Sequence, residues 1–455
     1  MTKNTFINDL TEGSTIKKLL SFAFPFMLSN LLQTVYNLVD MSVVGHYMGA
    51  SGLSAVSVGG RLVELLTFMC LGFCTGGQIL LSQQVGAKKY ADMQKSIGTL
   101  ITFILAMAVC GGTLSIVFHR QLLTLLNTPE SAFDAAAGYM VICNAGCIFI
   151  FGYNALCAIL RGMGDSRRPL LFVAVASVVN LVLDLIFVAG LGMGAAGAAI
   201  ATVISQAISF LTALIYLIVK RESFGFSFSR RNLRIHPATL KNLVRLGLPL
   251  SFQMAAISLS MLFVNSFINS YGEAASAVYG AGLKLQGIPS IITHGMSTAN
   301  ATMVGQNMAA GKPERVQKAV RTCFLLNAAV YGVFILACLL FPRQIFTVFT
   351  TDEPVLALAP TYLRISCIGF AASVFNSSFN SVINGIGFTS LSMAIGLLDS
   401  VVARIAFSIL FGIVLGLGLN GFFLGHALAI WVTALMSLFY YLSGRWRTYR
   451  LAVHR

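Results

Sequence analysis

Long apolar runs recur along the chain, and short polar segments separate them. Each run has about 20 residues, enough for an α-helix to cross a hydrocarbon core roughly 30 Å thick. Six such runs precede Lys220 and six follow Lys241, so the pattern predicts twelve membrane-spanning helices. The predicted spans begin near Ile16, Leu53, Ser96, Ala135, Pro169, Ala195, Leu243, Ser276, Ala319, Leu356, Phe388 and Leu419.

The two groups of six runs are copies of one another, about 223 residues apart. Phe118, Arg120, Gln121 and Thr124 recur as Phe341, Arg343, Gln344 and Thr347, and Gly162 and Gly164 recur as Gly385 and Gly387. Pro25 and Pro249 match after a slip of one residue, as do the glycines at 192, 194 and 197 and those at 416, 418 and 421.

An even number of spans in each copy means that both copies enter the membrane from the same side, as in transporters with parallel repeats. The sequence therefore predicts an all-α membrane protein with two pseudo-symmetric six-helix lobes related by an axis along the membrane normal. The expected boundaries are 1–220 for the N-lobe, 221–242 for a basic cytoplasmic linker, and 243–455 for the C-lobe.

Composition supports a polytopic membrane protein, since 57% of the residues are hydrophobic and only 10% are charged. The net charge of +15 is explained by topology. Most Lys and Arg residues lie at the termini and after even-numbered spans, which predicts that both termini are cytoplasmic. The lipid bilayer is then the expected partner, and nucleic acid is not. Cysteines and histidines lack metal-type spacing, so we expect no metal centre and no cofactor.

Carboxylates inside apolar spans are the strongest functional signal, because an ionised Asp at mid-bilayer costs roughly 3 kcal/mol. Polar residues of the first span recur at helical spacing, and a second polar stripe lies in the fifth span. The stripes are Asn30, Gln33, Asn37 and Asp40, and Ser177, Asn180 and Asp184. In the second half the matching positions are Val264 or a neighbour, Ala403 and Phe407. The copy lacks the acids, which favours a function over interhelical hydrogen bonding alone.

Other charges inside the spans are more ambiguous. Arg61 and Lys284 match at the repeat offset, which favours a shared structural role, with Glu64 as a partner for Arg61. Arg364, Asp399 and Arg404 either form a compensated cluster or line a cavity, and the sequence leaves both readings open.

Several segments together resemble one known family. They are PFMLSNLLQTVYNLVDMSVVGHYMG (25–49), LRGMGDSRRP (160–169), NLVLDLIF (180–187), GAAGAAIATVISQ (194–206) and VGQN (304–307). With the six-plus-six repeat, they resemble the multidrug and toxic compound extrusion (MATE) family, and most closely its prokaryotic branch with a cation site in the N-lobe.

The resemblance implies a non-enzymatic exporter of organic, often cationic and amphipathic small molecules, driven by entry of H⁺ or Na⁺ through rocking-type alternating access. It implies a cation site at Asp40, Tyr139, Asn154, Asn180, Asp184 and Thr202, with any Na⁺ held by Asp40, Asn180, Asp184 and Thr202. It further implies a substrate cavity at Gln33, Tyr36, Asn37 and Asp40, and a hinge at Pro25. Other branches have C-lobe acids where this chain has Gln253, and Asn376 or Ser377, so coupling is expected in the N-lobe.

Three alternatives remain open. A flippase for a lipid-linked oligosaccharide precursor would share the repeat. A membrane prenyltransferase needs paired aspartates to hold Mg²⁺, and a channel needs a ring-like filter. We expect a transporter of the prokaryotic inner membrane that works as a monomer. The choice between H⁺ and Na⁺ stays open, because carboxylate, amide and hydroxyl oxygens suit both.

Overall fold

The computed structural model describes residues 6–126, 128–221, 226–229 and 231–454, without the side chains of residues 50, 51 and 53. Residues 222–225 and 230 of the predicted linker lie outside these ranges. Within the described ranges the chain is mainly helical and contains no strand. The all-α prediction is confirmed.

The first half forms six spans. Span 1 is Thr15–Gly49, span 2 is Ser54–Gly86, and span 3 is Tyr90–Val117. Span 4 consists of Glu130–Ala145 and Cys147–Gly162, which meet at a bend of 49°. Span 5 is Arg167–Gly190 and span 6 is Gly194–Val219. A short helix, His119–Leu125, precedes span 4.

The second half repeats this order. Spans 7 to 12 are Pro237–Asn269, Glu273–Ala309, Pro313–Leu340, Glu353–Gly385, Thr389–Val414 and Gly418–Leu442. The short helix Pro342–Thr347 stands before span 10, as His119–Leu125 stands before span 4. Ten helices in the described ranges are long and apolar enough to cross a membrane, or eleven if the bent pair counts as one span. Span 8 is long enough but too polar to be counted among them.

Backbone geometry repeats along with the sequence. Four pairs of glycines with left-handed φ stand at the repeat offset, where a side chain would be strained. The pairs are Gly49 and Gly272, Gly164 and Gly387, Gly192 and Gly416, and Gly194 and Gly418. The first two pairs are 223 residues apart and the last two are 224 apart, so one residue is inserted in the second copy between Gly387 and Gly416.

A π-helical segment in span 11 accounts for this insertion. Span 11 is π-helical at Leu398–Ala403 and again at Leu410–Val414. Span 5 has only the later segment, Leu185–Gly190, and is regular α-helix over Arg167–Asp184. A π-bulge adds one residue to an α-helix, so positions after Ala403 match the first half at 224 and not at 223.

This register corrects two expected correspondences. Asn180 is matched by Arg404 and not by Ala403, and Asp184 is matched by Ser408 and not by Phe407. Burial agrees, because all four residues of the corrected pairs are at most 3% exposed. The copy still lacks the acids, and Asp40 is still matched by Val264 or a neighbour. The positions that match Asn180 and Asp184 are polar, however, so on this span the copies differ in charge and not in polarity.

Two compact units divide the chain differently from the predicted lobes. The first contains Leu28–Ser251 with the residues up to Asp9, and the second contains Leu10–Met27 with Phe252–Arg455. The start of span 1 therefore belongs to the second unit and the start of span 7 to the first. Each change of unit comes two residues after an equivalent proline, Pro25 or Pro249. The assignment of 1–220 and 243–455 as moving lobes stays a prediction.

Polar contacts hold each of these starting segments in its unit. In the second unit the Gln306 side chain accepts a hydrogen bond from the Leu10 N–H at 2.9 Å, and Asn307 donates to the Leu10 carbonyl at 3.2 Å. In the first unit the end of the predicted linker packs on span 3, where Thr102 donates to the Leu233 carbonyl at 2.7 Å. The end of the linker is thus part of the first unit.

Candidate functional site

Asp40 on span 1 and Asp184 on span 5 face each other in the first unit, with their carboxyl groups within hydrogen-bond range. Asp184 is 1% exposed. Neither of its carboxylate oxygens, nor Oδ1 of Asp40, has a hydrogen-bond partner within the described ranges. Both groups are acceptors when ionised, so they bond to each other only if one carries a proton. Two adjacent carboxylates resist joint ionisation, and a proton or a bound cation relieves their repulsion.

The local backbone positions Asp184 at a change of helix type. Asp184 is the last α-helical residue of span 5, and the π-helical segment Leu185–Gly190 follows at once. Single π-turns inside α-helices occur frequently at functional sites. The wider π-turn rotates the side chains that follow it relative to those that precede it. Asp184 therefore lies where the side chains of span 5 change direction.

Two tyrosines lie close to the carboxylates. The Tyr36 hydroxyl contacts the side chains of Gln33 and Gln206 and lies near both acids. Tyr139 on span 4 lies near Asp40 and Tyr36. Spans 1, 4, 5 and 6 therefore all contribute polar side chains to one buried cluster of the first unit.

Gln206 is the member of this cluster that the sequence did not single out. It stands in the predicted motif 194–206, one turn after Thr202, and residues four apart share one face of a helix. It is 8% exposed. The sequence contained a signal for Gln206, since it is a polar residue at helical spacing from Thr202 in an otherwise apolar span.

The remaining predicted site residues differ in what they contact. Asn180 is 2% exposed, lies one turn before Asp184, and its Nδ2 has no partner among the described atoms. The Asn154 amide donates to the Ile150 carbonyl at 2.8 Å, within its own helix. Thr202 makes its described hydrogen bond through its backbone carbonyl, which accepts from the Ser205 hydroxyl at 2.8 Å. No described contact brings Asn154 or Thr202 onto the carboxylates.

The predicted cavity and hinge residues all lie on span 1. Gln33 reaches the buried cluster through Tyr36, whereas Asn37 is exposed. The helix continues through Pro25, and its first non-helical residue is Gly49. A bend at Pro25 stays a prediction.

The second unit contains the compensated ion pair that the sequence left open. Arg404 Nη2 lies 3.1 Å from Asp399 Oδ1, and Thr433 donates to the other carboxylate oxygen at 2.9 Å. Arg404 is 3% exposed and Asp399 is 7% exposed. Arg364 is exposed and lies outside this pair. Gln253, a neutral amide, accepts from the Ser392 hydroxyl at 3.4 Å.

Comparison with known proteins agrees with this architecture. The MatE family model matches residues 25–186 and 249–410, once in each copy. A probable multidrug resistance protein of Bacillus subtilis, YpnP, is 30% identical over 97% of this chain and 98% of its own length. A second B. subtilis protein of the same description, YoeA, is 32% identical over 78% of each chain. The solved outward-facing structure of a multidrug resistance MATE family transporter matches with a TM-score of 0.91 at 24% identity, over 98% of this chain and 99% of that one.

The helices, the repeat and these matches define a multi-pass membrane transporter of the multidrug efflux class. The chain belongs to the MATE family. The expected family and fold class are confirmed.

Proposed function

We propose that the protein is a secondary active exporter, in which organic and often cationic, amphipathic compounds leave as H⁺ or Na⁺ enters. The pair formed by Asp40 and Asp184 carries this proposal. The two carboxyl groups are in contact, and three of their oxygens have no described hydrogen-bond donor. One positive charge bound between them would relieve their mutual repulsion. A gradient of H⁺ or Na⁺ supplies that charge from one side of the membrane.

The residues around the pair suit either ion. A proton would be shared between the two carboxyl groups. Sodium would require several oxygen ligands, which Asp40, Asp184, the Asn180 carbonyl and the Thr202 hydroxyl can supply after small side-chain rotations. Tyr139, Tyr36 and Gln206 would then orient the acids, and Asn154 would support span 4 from within its own helix. No cofactor is needed for this chemistry.

Export follows from linkage between the two binding events. If the cation and the drug favour different conformations, each weakens the binding of the other by the same free energy. Span 1 carries Asp40 together with the predicted cavity residues Gln33, Tyr36 and Asn37, so loading of the acid acts directly on the wall of the cavity. A bend near Pro25, where the chain passes from the second unit to the first, would let the Asp40 end of the helix move.

The topology completes the proposal. We place the protein in a prokaryotic inner membrane with both termini in the cytoplasm, according to the distribution of basic residues, and with the monomer as the working form. The relatives are named as multidrug resistance and export proteins, which does not favour the flippase or the prenyltransferase alternative.

Efflux of a fluorescent organic cation from proteoliposomes tests the proposal. An inward H⁺ gradient and an inward Na⁺ gradient are imposed separately on the wild type and on Asp184→Asn. Asp92→Asn is the matched control, because Asp92 is an exposed acid paired with Lys95 at 3.0 Å. We expect one gradient to drive efflux in the wild type and the control, and not in Asp184→Asn. Flux that ignores both gradients, or an unimpaired Asp184→Asn, would refute coupling at this pair.

A further inference from the structure

The second unit has its own buried polar cluster at the position equivalent to the candidate cation site. After the π-bulge of span 11, Arg404 stands where the first copy has Asn180, and Ser408 stands where it has Asp184. The pairs Gly192 with Gly416 and Gly194 with Gly418 carry the same register into span 12, where His426 matches Thr202. The first copy presents mainly oxygen acceptors at this place, and the second presents a guanidinium, a hydroxyl and an imidazole.

Three polar atoms of this cluster have no described hydrogen-bond partner. They are Arg404 Nε, Ser408 Oγ and His426 Nε2. Each residue is at least nine-tenths buried, with exposures of 3%, 1% and 9%. The other guanidinium nitrogens are engaged, because Nη2 contacts Asp399 and Nη1 donates to Ser260 Oγ at 3.3 Å. Buried polar atoms are almost always satisfied by protein, water or an ion, so a triad without partners indicates a missing ligand.

The three side chains come from the part of spans 11 and 12 where these helices are in contact. Ser408 follows Arg404 by one helical turn, so both side chains point from the same face of span 11. A Cβ added to Gly425 would lie 2.5 Å from the Ser408 backbone nitrogen, so span 12 touches span 11 at this point. His426 is the next residue, and the Arg404 charge acts on its ring.

The other ring nitrogen of His426, Nδ1, has the Tyr279 hydroxyl as its described partner. This hydroxyl lies 3.5 Å from His426 Nδ1, and Tyr279 is 1% exposed. When the hydroxyl donates its proton to Nδ1, the ring hydrogen resides on Nε2. His426 Nε2, Arg404 Nε and Ser408 Oγ are then all donors.

We propose that this donor triad binds a small monovalent anion, chloride under physiological conditions. A water molecule has two lone pairs and accepts two hydrogen bonds, so one of the three donors would stay unsatisfied, which is rare for a buried group. A halide accepts all three bonds and donates none. Asp399 offsets much of the Arg404 charge, so the anion is bound weakly and exchanges. The proposal stands independently of the export mechanism.

Thermal unfolding of the purified full-length protein tests the site. The apparent unfolding temperature is measured in sodium chloride and in sodium gluconate at equal Na⁺ concentration, which isolates the anion. The test variant is Ser408→Ala. The matched control is Ser437→Ala on span 12, because Ser437, like Ser408, is buried and its hydroxyl has no described partner. Crystals grown in bromide locate the ion by anomalous scattering.

We expect chloride to raise the unfolding temperature of the wild type and of Ser437→Ala in a saturable way, by a few degrees. Most of this shift should be lost in Ser408→Ala, and a bromide peak should lie between Arg404, Ser408 and His426. Equal unfolding temperatures in the two salts would overturn the proposal. A chloride effect of wild-type size in Ser408→Ala, or a bromide-free cluster, would also overturn it and leave water as the ligand.

Discussion

The carboxyl groups of Asp40 and Asp184 meet from two different spans of the first unit, and the residues that match them in the second copy are not acids. In the first unit, buried carboxylate oxygens lack hydrogen-bond donors. In the second unit, buried donors lack acceptors, so the two clusters favour ligands of opposite charge. The same helical framework therefore provides one place that suits a cation and one that suits an anion. The two copies share the helical framework and differ in the charge of these polar clusters.

Replacing the two acids together should do no more harm than replacing one. Asp40→Asn and Asp184→Asn each leave a single carboxyl group, which no longer has a neighbouring acid and loses the demand for a shared cation. We expect each single variant to lose gradient-driven efflux, and the double variant to be no worse, because residues in contact are non-additive. Initial efflux rates from proteoliposomes at matched protein density measure this.

Additive losses in that series would count against a paired site. Binding of the fluorescent substrate to each variant in detergent is the control for folding. Variants that retain binding but lose the response to the gradient identify a coupling defect, whereas loss of both indicates damage to the protein.

The Tyr36 hydroxyl should contribute to cation affinity. It contacts Gln33 and Gln206 and lies near both acids, so Tyr36→Phe removes a hydrogen-bonded group and leaves the ring in place. One hydrogen bond contributes about 0.5–1.5 kcal/mol, which predicts a several-fold rise in the cation concentration needed for half-maximal efflux. Tyr47→Phe is the control on the same helix, since Tyr47 is 55% exposed. An equal effect of both substitutions would remove Tyr36 from the site.

The buried ion pair should respond very differently from an exposed one. Asp399→Asn leaves the Arg404 guanidinium buried without its counter-charge, which typically costs roughly 3–5 kcal/mol of stability. Glu353→Gln breaks the exposed pair with Arg343, at 2.5 Å, and should cost about 1 kcal/mol or less. Denaturant unfolding in detergent compares the two.

A second variant separates charge from packing at this pair. Asp399→Leu with Arg404→Met replaces the pair by apolar side chains and should recover much of the stability lost in Asp399→Asn. If the double variant is as unstable as the single one, the pair matters through its hydrogen bonds to Ser260 and Thr433 and not through charge compensation.

Hydrophobic pattern and repeat predict the helices well, because span length and burial of apolar surface are set by composition over many residues. The acids were also found by sequence, since a carboxylate in an apolar span is costly wherever the helix packs. The π-bulge at Leu398–Ala403 was not predicted, because in the sequence a one-residue insertion in a helix looks the same as one in a loop. That uncertainty shifted two correspondences to Ala403 and Phe407.

The sequence also did not predict which unit contains the segments at the start of span 1 and of span 7. Whether Leu10–Met27 packs with the first or the second unit depends on contacts such as Gln306 with Leu10, between residues almost 300 apart. Helical periodicity indicates which face of a helix is buried, but it does not indicate which other segment packs against that face. The packing of the linker's end on span 3 was likewise not predicted, since Thr102 and Leu233 are both ordinary residues in the sequence.

The packing of the linker on span 3 provides the last prediction. A Cβ on Gly98 would lie 1.9 Å from the Asn232 carbonyl oxygen, and a backbone atom cannot yield as a flexible side chain can. Gly98→Ala should therefore displace the segment around Asn232 and break the bond from Thr102 to Leu233, at a cost of roughly 1–3 kcal/mol. Trypsin cleavage after Arg231 and Arg234 should become faster. Gly138→Ala is the control, because no atom beyond the neighbouring residues and backbone of its own helix lies within 4 Å of its added Cβ, and alanine in a helix gains up to about 1 kcal/mol over glycine. Equal cleavage rates in both variants would mean that the linker is not held by span 3.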